Sequence, residues 1–421
     1  MDSRLLPTLA LVCCAPLLAV GCGSAGGGSR PESSTAQQDS GPGDDAAGDG
    51  GACPATCAFG CDPGTGDCSD MVPANQAAVH LATGDYFTCT PGGRHSGPDV
   101  NVPAGGKVTF DTGAQTIEIE GSGQVSARWG DPYSPDGTET SATVVHLGTL
   151  TLGSGANLAV TTSSWPVAEL ALIILVDQNV TAAGGAAAVV DVSAMSTQSG
   201  VAQVDAGGAG EVLQFGASGA GEPAGFLGGP GGGALQISAC GSIDIGTGVV
   251  LDASGGGGGG GPGGEQTGFG GLPGDGSPGG GGGSGGTILL EASRVTVLGA
   301  IAANGGGGGG GGGVGAPGAD GSSGQTWDVT ASPSTAAVGG LGAAGGGGNG
   351  GAGGAANSPS GQPGVPAGPG NSAGGAGGSV GAVFVNVPLG AAAPTIGSAS
   401  PAPTVSHVCT TATSNCSYPP G

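Results

Sequence analysis

The chain has 421 residues, including 103 Gly and 30 Pro, and its mean hydropathy is +0.16. Its formal net charge is −24, from 6 basic and 30 acidic residues. Arg294 is the single basic residue after position 128; the chain therefore cannot neutralise a phosphate backbone, which excludes nucleic acid as a partner. With 7 Phe, 3 Tyr and 3 Trp, aromatic residues are too few for a bulky core or a sugar-stacking groove.

The N-terminal residues have the pattern of an export signal. Arg4 precedes the apolar stretch Leu5–Val20, which is too short to span a bilayer as a helix but suits a signal peptide. Leu18–Cys22 reads Leu-Ala-Val-Gly-Cys and resembles a bacterial lipobox, although Ala19 stands where that motif prefers Leu. The resemblance implies removal of residues 1–21 and lipidation of Cys22.

The residue after this cysteine is Gly23 rather than the Asp that retains lipoproteins at the inner membrane. The resemblance therefore implies an outer-membrane or cell-surface location. Ordinary secretion with cleavage nearby and lipidation at Cys14 are the alternatives. Residues 22–51 contain almost no apolar side chains and are expected to form a flexible tether.

The cysteines indicate disulfides. Of the 11 cysteines, Cys13 and Cys14 leave with the signal and Cys22 carries lipid, so an even number remains in an exported chain. The disulfide candidates are Cys53, Cys57, Cys61, Cys68, Cys89, Cys240, Cys409 and Cys416. The first four predict a two-bridge knob over residues 52–70, since a zinc site would need Cys-x2-Cys spacing and a nearby His. Cys409 and Cys416 are expected to close a small loop in a tail over residues 401–421, which leaves Cys89 and Cys240 as a pair by elimination.

Short β-type runs begin near residue 100, after a predicted linker or cap over residues 71–99. Apolar and polar residues alternate in several of them, as in half-buried strands, and no helical period follows the signal. These runs start at Lys107, Thr116, Val144, Thr149 and Asn157. Leu170–Val176 is continuously apolar, and its length and flanks predict a buried strand.

A repeat gives the fold prediction. Gly233–Gly255 and Gly286–Gly305 each read as three short strands with small corner residues, then Ala, then Ser or Asn, then polyglycine. A unit of this length suits one coil of a solenoid that buries its core by stacking. We therefore predict an all-β chain with a right-handed parallel β-helix over residues 100–400. A β-sandwich is less consistent, because hairpin signals are scarce.

Long glycine-rich insertions, residues 255–286 and 305–378, leave the repeat at an equivalent corner and should project from one side. Two outcomes are open for them: mobile loops, or extended polyglycine helices that bond laterally. Gly315–Gly321 is far too short for a collagen triple helix. No Gly-Lys-Ser/Thr follows any glycine run, so a phosphate loop is not indicated.

The repeats show no catalytic pattern. Asp244, Asp252 and Glu291 stand singly, Arg294 is the only basic residue of the repeats, and the histidines are scattered. Polysaccharide lyases and hydrolases need clustered carboxylates or a base beside them. No catalytic residue, metal site or cofactor is therefore expected, although a carbohydrate-active β-helix enzyme stays as an alternative.

The lipobox, the cysteine-rich segment and the strands that end in Ala-Asn-Gly before polyglycine resemble glycine-rich surface lipoproteins of myxobacteria. The glycine-rich half is similar to PE-PGRS proteins in composition only. The resemblance implies a lipid-anchored structural or adhesive surface protein. Its partners would be the membrane and extracellular matrix, polysaccharide or neighbouring cells. Binding of ice or another hydrated surface by packed polyglycine is a further alternative.

Overall fold

The computed structural model describes residues 57–61, 67–75, 77, 81, 87, 89, 97–130, 141–161, 170–185, 188–193, 228–263, 276–313, 316–322, 324, 335–344, 346–356, 358–368 and 372–410. These residues contain strands and no α-helix, so the all-β prediction is confirmed. Within the described ranges, no helix is long and apolar enough to cross a membrane.

The strands follow one another along the chain with short connections in the first half and long glycine-rich ones in the second. Their bounds are β1 (Met71–Val72), β2 (Val100–Val102), β3 (Lys107–Asp111), β4 (Thr116–Ile119), β5 (Gly123–Val125), β6 (Arg128–Trp129), β7 (Ser141–Leu147), β8 (Leu150–Leu152), β9 (Asn157–Thr161), β10 (Leu170–Val176), β11 (Val180–Ala182), β12 (Ala188–Asp191), β13 (Ala234–Ile245), β14 (Val249–Asp252), β15 (Thr287–Ala302), β16 (Ala382–Val387), β17 (Thr395–Ser400), β18 (Thr404–His407) and β19 (Cys409–Thr410).

Three parallel ladders run through the large sheet. The first ladder joins β7, β10, the start of β13, the start of β15, β16 and β18. The second ladder joins β2, β8, β11, the end of β13, the middle of β15 and the start of β17. The third ladder joins β3, β9, β12, β14, the end of β15 and the end of β17. β15 thus takes part in all three.

Antiparallel pairing occurs at the N-terminal side of the ladders. β3, β4 and β5 form an antiparallel meander, and β6 pairs with β7. Since β3 and β7 are the first strands of the third and first ladders, these antiparallel strands hydrogen-bond to edges that would otherwise be open. Pairing an edge strand in this way protects it from association with other chains.

The main core lies on one face of all three ladders. The register places apolar residues in rows, so that Leu172 lies opposite Leu235, which lies opposite Ile288. All three side chains are fully buried. Such rows form because parallel pairing brings equivalent positions of successive segments together.

The first ladder is buried on both faces in its strands from β7 to the start of β15. In β10, Leu172, Ile174 and Val176 belong to the main core. Ala171 and Ile173 belong to a second cluster, on the opposite face, that also contains Met71 and Phe87. Two buried faces explain why Leu170–Val176 is apolar throughout instead of alternating.

The cover on that outer face is formed by the described residues between 57 and 97, which we name the strap. β1 pairs with β19 beyond the last strand of the first ladder. Further along the strap, Cys89 is bonded to Cys240 of β13. The Gly97 N–H donates to Asp177, which follows β10. The segment predicted as a linker or cap therefore packs across several strands.

The disulfides include the pair left by elimination. Cys57 is bonded to Cys68, and Cys89 to Cys240. Cys61 is also disulfide-bonded. Cys409 is buried in β19, whereas its predicted partner Cys416 and the knob residue Cys53 lie outside the described residues.

Strand pairing continues past the predicted end of the repeats at residue 400. β18 pairs in parallel with β16, and β19 pairs with β1. Part of the segment predicted as a tail therefore belongs to the sheets. The predicted signal and tether over residues 1–51 lie outside the described residues.

Removing the strap disulfide is expected to destabilise the fold. Cys89 and Cys240 are 151 residues apart, and a bridge over a long loop removes much entropy from the unfolded chain. We expect the double variant Cys89→Ser/Cys240→Ser to lose about 2–4 kcal/mol of unfolding free energy, measured by urea denaturation.

The matched control is Cys57→Ser/Cys68→Ser, which opens a bridge with a sequence separation of only 11. Its loss should be smaller, because loop-closure entropy grows with loop length. An unchanged urea midpoint in the Cys89→Ser/Cys240→Ser variant would contradict the prediction that the strap disulfide stabilises the fold.

Candidate functional site

The glycine-rich insertions continue directly from the strands. We number nine extended segments in chain order and name them together the glycine bundle. They are segment one (228–233), two (253–263), three (276–286), four (303–313), five (316–324, without 323), six (335–344), seven (346–356), eight (358–368) and nine (372–381). Segments two and four follow strands of the third ladder, and segments one, three and nine lead into strands of the first.

The junction between sheet and bundle contains the predicted Ala-Ser or Ala-Asn step. Ser254 and Asn304 are both fully buried. The Asn304 N–H donates to the Ser254 hydroxyl at 3.2 Å, and the Ser254 N–H donates to Asp252 at 2.9 Å. The Asn304 side chain also reaches the Gly324 carbonyl at 3.4 Å. These short polar side chains bond backbone groups where the ladder pattern ends.

Segment four lies at the centre of the bundle. Its amides from Gly305 to Gly313 all donate to backbone carbonyls, in strict rotation to segments seven, three and five, at 2.7–3.0 Å. Its carbonyls accept from segments two, nine and six. Segment four therefore bonds to six other segments.

The six neighbours also bond to each other as a closed ring. Around segment four the order is two, three, nine, seven, six and five, with hydrogen bonds between each consecutive pair and between five and two. Segment one bonds to two and three, and segment eight bonds to seven and nine. The described segments thus form a hexagonal array in cross-section.

The three-residue rotation defines the backbone geometry. An extended helix with three residues per turn points successive N–H and C=O groups in three directions. Such a helix has no internal hydrogen bonds, so every buried backbone group needs a partner on another segment. The lateral bonds of segment four supply those partners.

Glycine is required because side chains would fill the space between segments. A Cβ added to Gly309 would overlap the carbonyl oxygen of Gly259, and one added to Gly310 would overlap that of Leu341. In segment four each of the three directions meets a neighbouring backbone, and residues 305–313 are all Gly.

Segments seven and five have fewer neighbours than segment four and also fewer glycines. Segment seven, which bonds to four others, has Asn349 and Ala352 at every third position. Segment five, which bonds to three, keeps glycine mainly at positions 318, 321 and 324. The described part of the collagen-like triplets, residues 316–321, therefore belongs to a segment of the ring with one glycine-lined side.

The ionisable residues singled out in the repeats lie apart. Asp244 and Arg294 form a surface ion pair at 3.1 Å, with the Arg294 side chain 64% exposed. Asp252 is buried at the junction described above. No group of three or more His, Cys, Asp or Glu in the described part of the chain is arranged to hold a metal ion.

Glu291 is fully buried between the sheet and the strap. Its carboxylate accepts from the Ala74 N–H at 3.0 Å, the Ser238 hydroxyl at 2.8 Å and the Asn386 amide at 3.0 Å. Gln236 donates to it as well, at 3.1 Å. These bonds join three neighbouring strands of the first ladder to the strap, which makes Glu291 a structural anchor.

A second polar contact holds the other part of the strap. His146 of β7 is fully buried, and its Nε2 lies 2.6 Å from the Asp177 carboxylate. Phe87 packs edge-on against the His146 ring. His407 lies in β18, and His80 and His95 lie outside the described residues.

Sequence reasoning missed the strap contacts, although a signal was present. Gln236, Ser238 and Glu291 are polar residues in otherwise apolar strand starts, at alternating positions that share one face. Polar side chains on the covered face of a parallel sheet indicate a polar partner from another part of the chain. The predicted lipidation residue, Cys22, lies outside the described residues.

Comparison with models of protein families, with curated proteins and with solved structures finds no match for this chain. A functional proposal therefore has to rest on the geometry of the chain itself.

A single methyl group inside the bundle should disturb its packing. We expect Gly309→Ala to lose about 1–3 kcal/mol of unfolding free energy, the usual cost of overpacking. It should also speed hydrogen–deuterium exchange of the amides of residues 303–313, because the displaced chain loses its lateral bonds.

The control is Ala376→Ser, an equally small change at an exposed position of segment nine. It should leave both measurements within error of the wild-type values. Equal exchange in Gly309→Ala and wild-type protein would show that segment four does not need its neighbours.

Proposed function

We propose that this chain is a lipid-anchored protein of the cell surface that acts as a structural or adhesive element and carries no catalytic activity. The observation that carries the proposal is the glycine bundle, a long insertion whose central backbone is hydrogen-bonded on all sides. A chain held in this way is stiff and presents fixed outer surfaces. Those are properties of an element that makes contacts or bears load.

The three ladders are proposed to be the three faces of a right-handed parallel β-helix. The support is the order of the strands, since successive chain segments visit the first, second and third ladder in turn. Nearly all connections between parallel strands are right-handed. Each turn of such a helix adds one layer to the core, and the bundle grows from one of its edges.

The anchor rests on the sequence of residues 1–51. The apolar stretch, the lipobox-like residues and Cys22 direct the chain to a membrane surface. The hydrophilic residues after Cys22 hold the folded part away from the lipid. Gly23 favours the outer membrane, and disulfides such as Cys89–Cys240 agree with an oxidising compartment.

Several contacts favour a role without catalysis. Glu291 is enclosed by hydrogen bonds from the strap and from neighbouring strands, and Asp244 is paired with Arg294 at the surface. A lyase or hydrolase would need such groups side by side in a groove. The enzyme alternative therefore has little support from these positions.

Binding to an ordered surface, such as ice, is a second candidate. The regular array of segments supports it, because side chains at every third residue of a stiff backbone form a lattice with a fixed repeat. Thermal hysteresis measured with the purified protein separates this candidate from cell adhesion.

The anchor is tested by metabolic labelling with a palmitate analogue. Wild-type protein should incorporate the label, and Cys22→Ala should lose it, because the thiol of Cys22 is the proposed acceptor. Cys14→Ala is the control and should keep the label. Unchanged labelling of Cys22→Ala would remove the basis of the anchor.

The adhesive role is tested by removing segments five to eight, which include three of the six neighbours of segment four. The Ser372 N–H donates to the Gly312 carbonyl at 3.2 Å, so a short Gly-Ser turn can replace residues 314–371 and join segment four to segment nine. Cells that display this deletion should adhere less than cells with wild-type protein at equal surface abundance. The Cys89–Cys240 disulfide of the purified deletion variant, checked by mass spectrometry, reports whether the sheet is intact.

A further inference from the structure

One side of the glycine bundle combines exposed apolar side chains with regular spacing. Segments six, seven and eight lie side by side, since the Gly350 N–H bonds to the Gly340 carbonyl and the Gln362 N–H to the Ala352 carbonyl. We name these three segments the outer side.

Three of the large hydrophobic residues that are exposed in the described part of the chain belong to this side. Val338 is 70% exposed, Leu341 69% and Val365 50%. Val338 and Leu341 are three residues apart on segment six, so their side chains leave the backbone in the same direction. On segment seven Asn349 is exposed as well.

The outer side is also free of charge. The chain has 30 acidic residues, yet no Asp, Glu, Lys or Arg occurs between residues 329 and 421. Two copies with a net charge of −24 repel each other, but the repulsion is screened beyond about 8–10 Å at physiological salt. An uncharged region lets two copies meet without placing carboxylates in direct contact.

We infer that the outer side binds the outer side of a second copy of this chain. This inference rests on the proposed adhesive function and names its partner. Exposed side chains on an extended helix with three residues per turn repeat about every 9 Å. A row of side chains with a fixed repeat can pack against the same row of a second copy that runs antiparallel and is displaced by half a repeat. This is the arrangement of a two-fold symmetric interface.

The side chains favour a protein copy over a polysaccharide. Val338, Leu341 and Val365 cannot hydrogen-bond to sugar hydroxyl groups, and no aromatic residue lies in segments six to eight. Asn349 and Gln362 are exposed polar side chains of this side that could do so. Sugars are commonly held by polar groups and aromatic rings. Short aliphatic side chains suit contact with another apolar surface.

The size of the outer side implies a weak contact between single molecules. Ten residues at about 3.1 Å each, three segments wide at about 5 Å, give roughly 450 Å² per copy. The total of about 900 Å² lies below the roughly 1,200–2,000 Å² of stable interfaces. Many copies held on a surface would raise the strength of attachment through multivalency.

The test uses beads coated with the complete chain through an N-terminal biotin, which makes it independent of lipidation. Wild-type beads should aggregate at high coating density, and Val338→Asp/Leu341→Asp should slow aggregation at least about tenfold, because multivalency amplifies each lost contact. Both positions are exposed, so the melting temperature should not change. Sedimentation of the soluble wild-type protein at micromolar concentration should show mainly monomer.

The control variant is Leu389→Asp, at a residue that is 79% exposed and lies outside the bundle; it should aggregate like wild type. The inference is overturned if wild-type beads stay dispersed or if Val338→Asp/Leu341→Asp beads aggregate equally fast. Dispersed beads that still bind cells would overturn self-association and leave the adhesive role standing. Beads that neither aggregate nor bind cells would overturn both self-association and the adhesive role. Aggregation only after addition of a neutral polysaccharide would identify that polysaccharide, instead of a second copy, as the partner.

Discussion

The bundle depends on one constraint, which is that a buried extended backbone must find every hydrogen-bond partner on another chain segment. Each amide from Gly305 to Gly313 meets this condition, and it can do so only because no side chain separates the segments. Ordering a glycine costs about 0.5–1 kcal/mol more than ordering alanine, while a backbone hydrogen bond contributes about 0.5–1.5 kcal/mol. The two free energies are close, so a polyglycine segment with few lateral hydrogen bonds would gain little stability from becoming ordered. A complete ring of neighbours is needed because it gives every amide of the segment a hydrogen bond.

The sheet supplies the first of those neighbours. Segments one, three and nine lead into adjacent strands of the first ladder, and segments two and four leave adjacent strands of the third. Ladder pairing therefore sets the spacing of five segments before any bundle contact forms. Segments five, six and seven lie between four and nine in the chain and complete the ring, and segment eight packs outside it against seven and nine. The bundle is in this sense an extension of the sheet, with a change from a two-residue to a three-residue bonding period at Ser254 and Asn304.

Much of the sheet could be predicted from the sequence because its strands carry local signals. Lys107–Asp111 and Leu170–Val176 match β3 and β10, since alternation and continuous apolarity both report burial directly. The corners predicted within the repeats are less distinct, because β13 and β15 run on through them with only an irregularity in register.

The partners within the strap could not be predicted from the sequence. The polar residues Ser238 and Glu291 indicate that this face is covered, but Glu291 and Ala74 are 217 residues apart, and no local pattern identifies Ala74 as the partner. The glycine spacing, by contrast, carries part of the arrangement of the bundle. The longest glycine run, residues 305–313, lies at the centre, whereas segment seven has two glycines in three and segment five one in three. This difference follows from the overlap of a Cβ with a neighbouring carbonyl.

The sheet and the bundle are stabilised by different forces, and this bears on the function proposed for the chain. The sheet buries rows of Leu, Ile and Val, and hydrophobic stabilisation weakens on cooling. Segment four buries almost no apolar side chain and is held by hydrogen bonds, which do not share that temperature dependence. The disulfide and the polar anchors of the strap hold the sheet, and the sheet in turn positions the bundle. An outer side on such a support keeps its spacing under load, and the inferred binding of a second copy requires constant spacing.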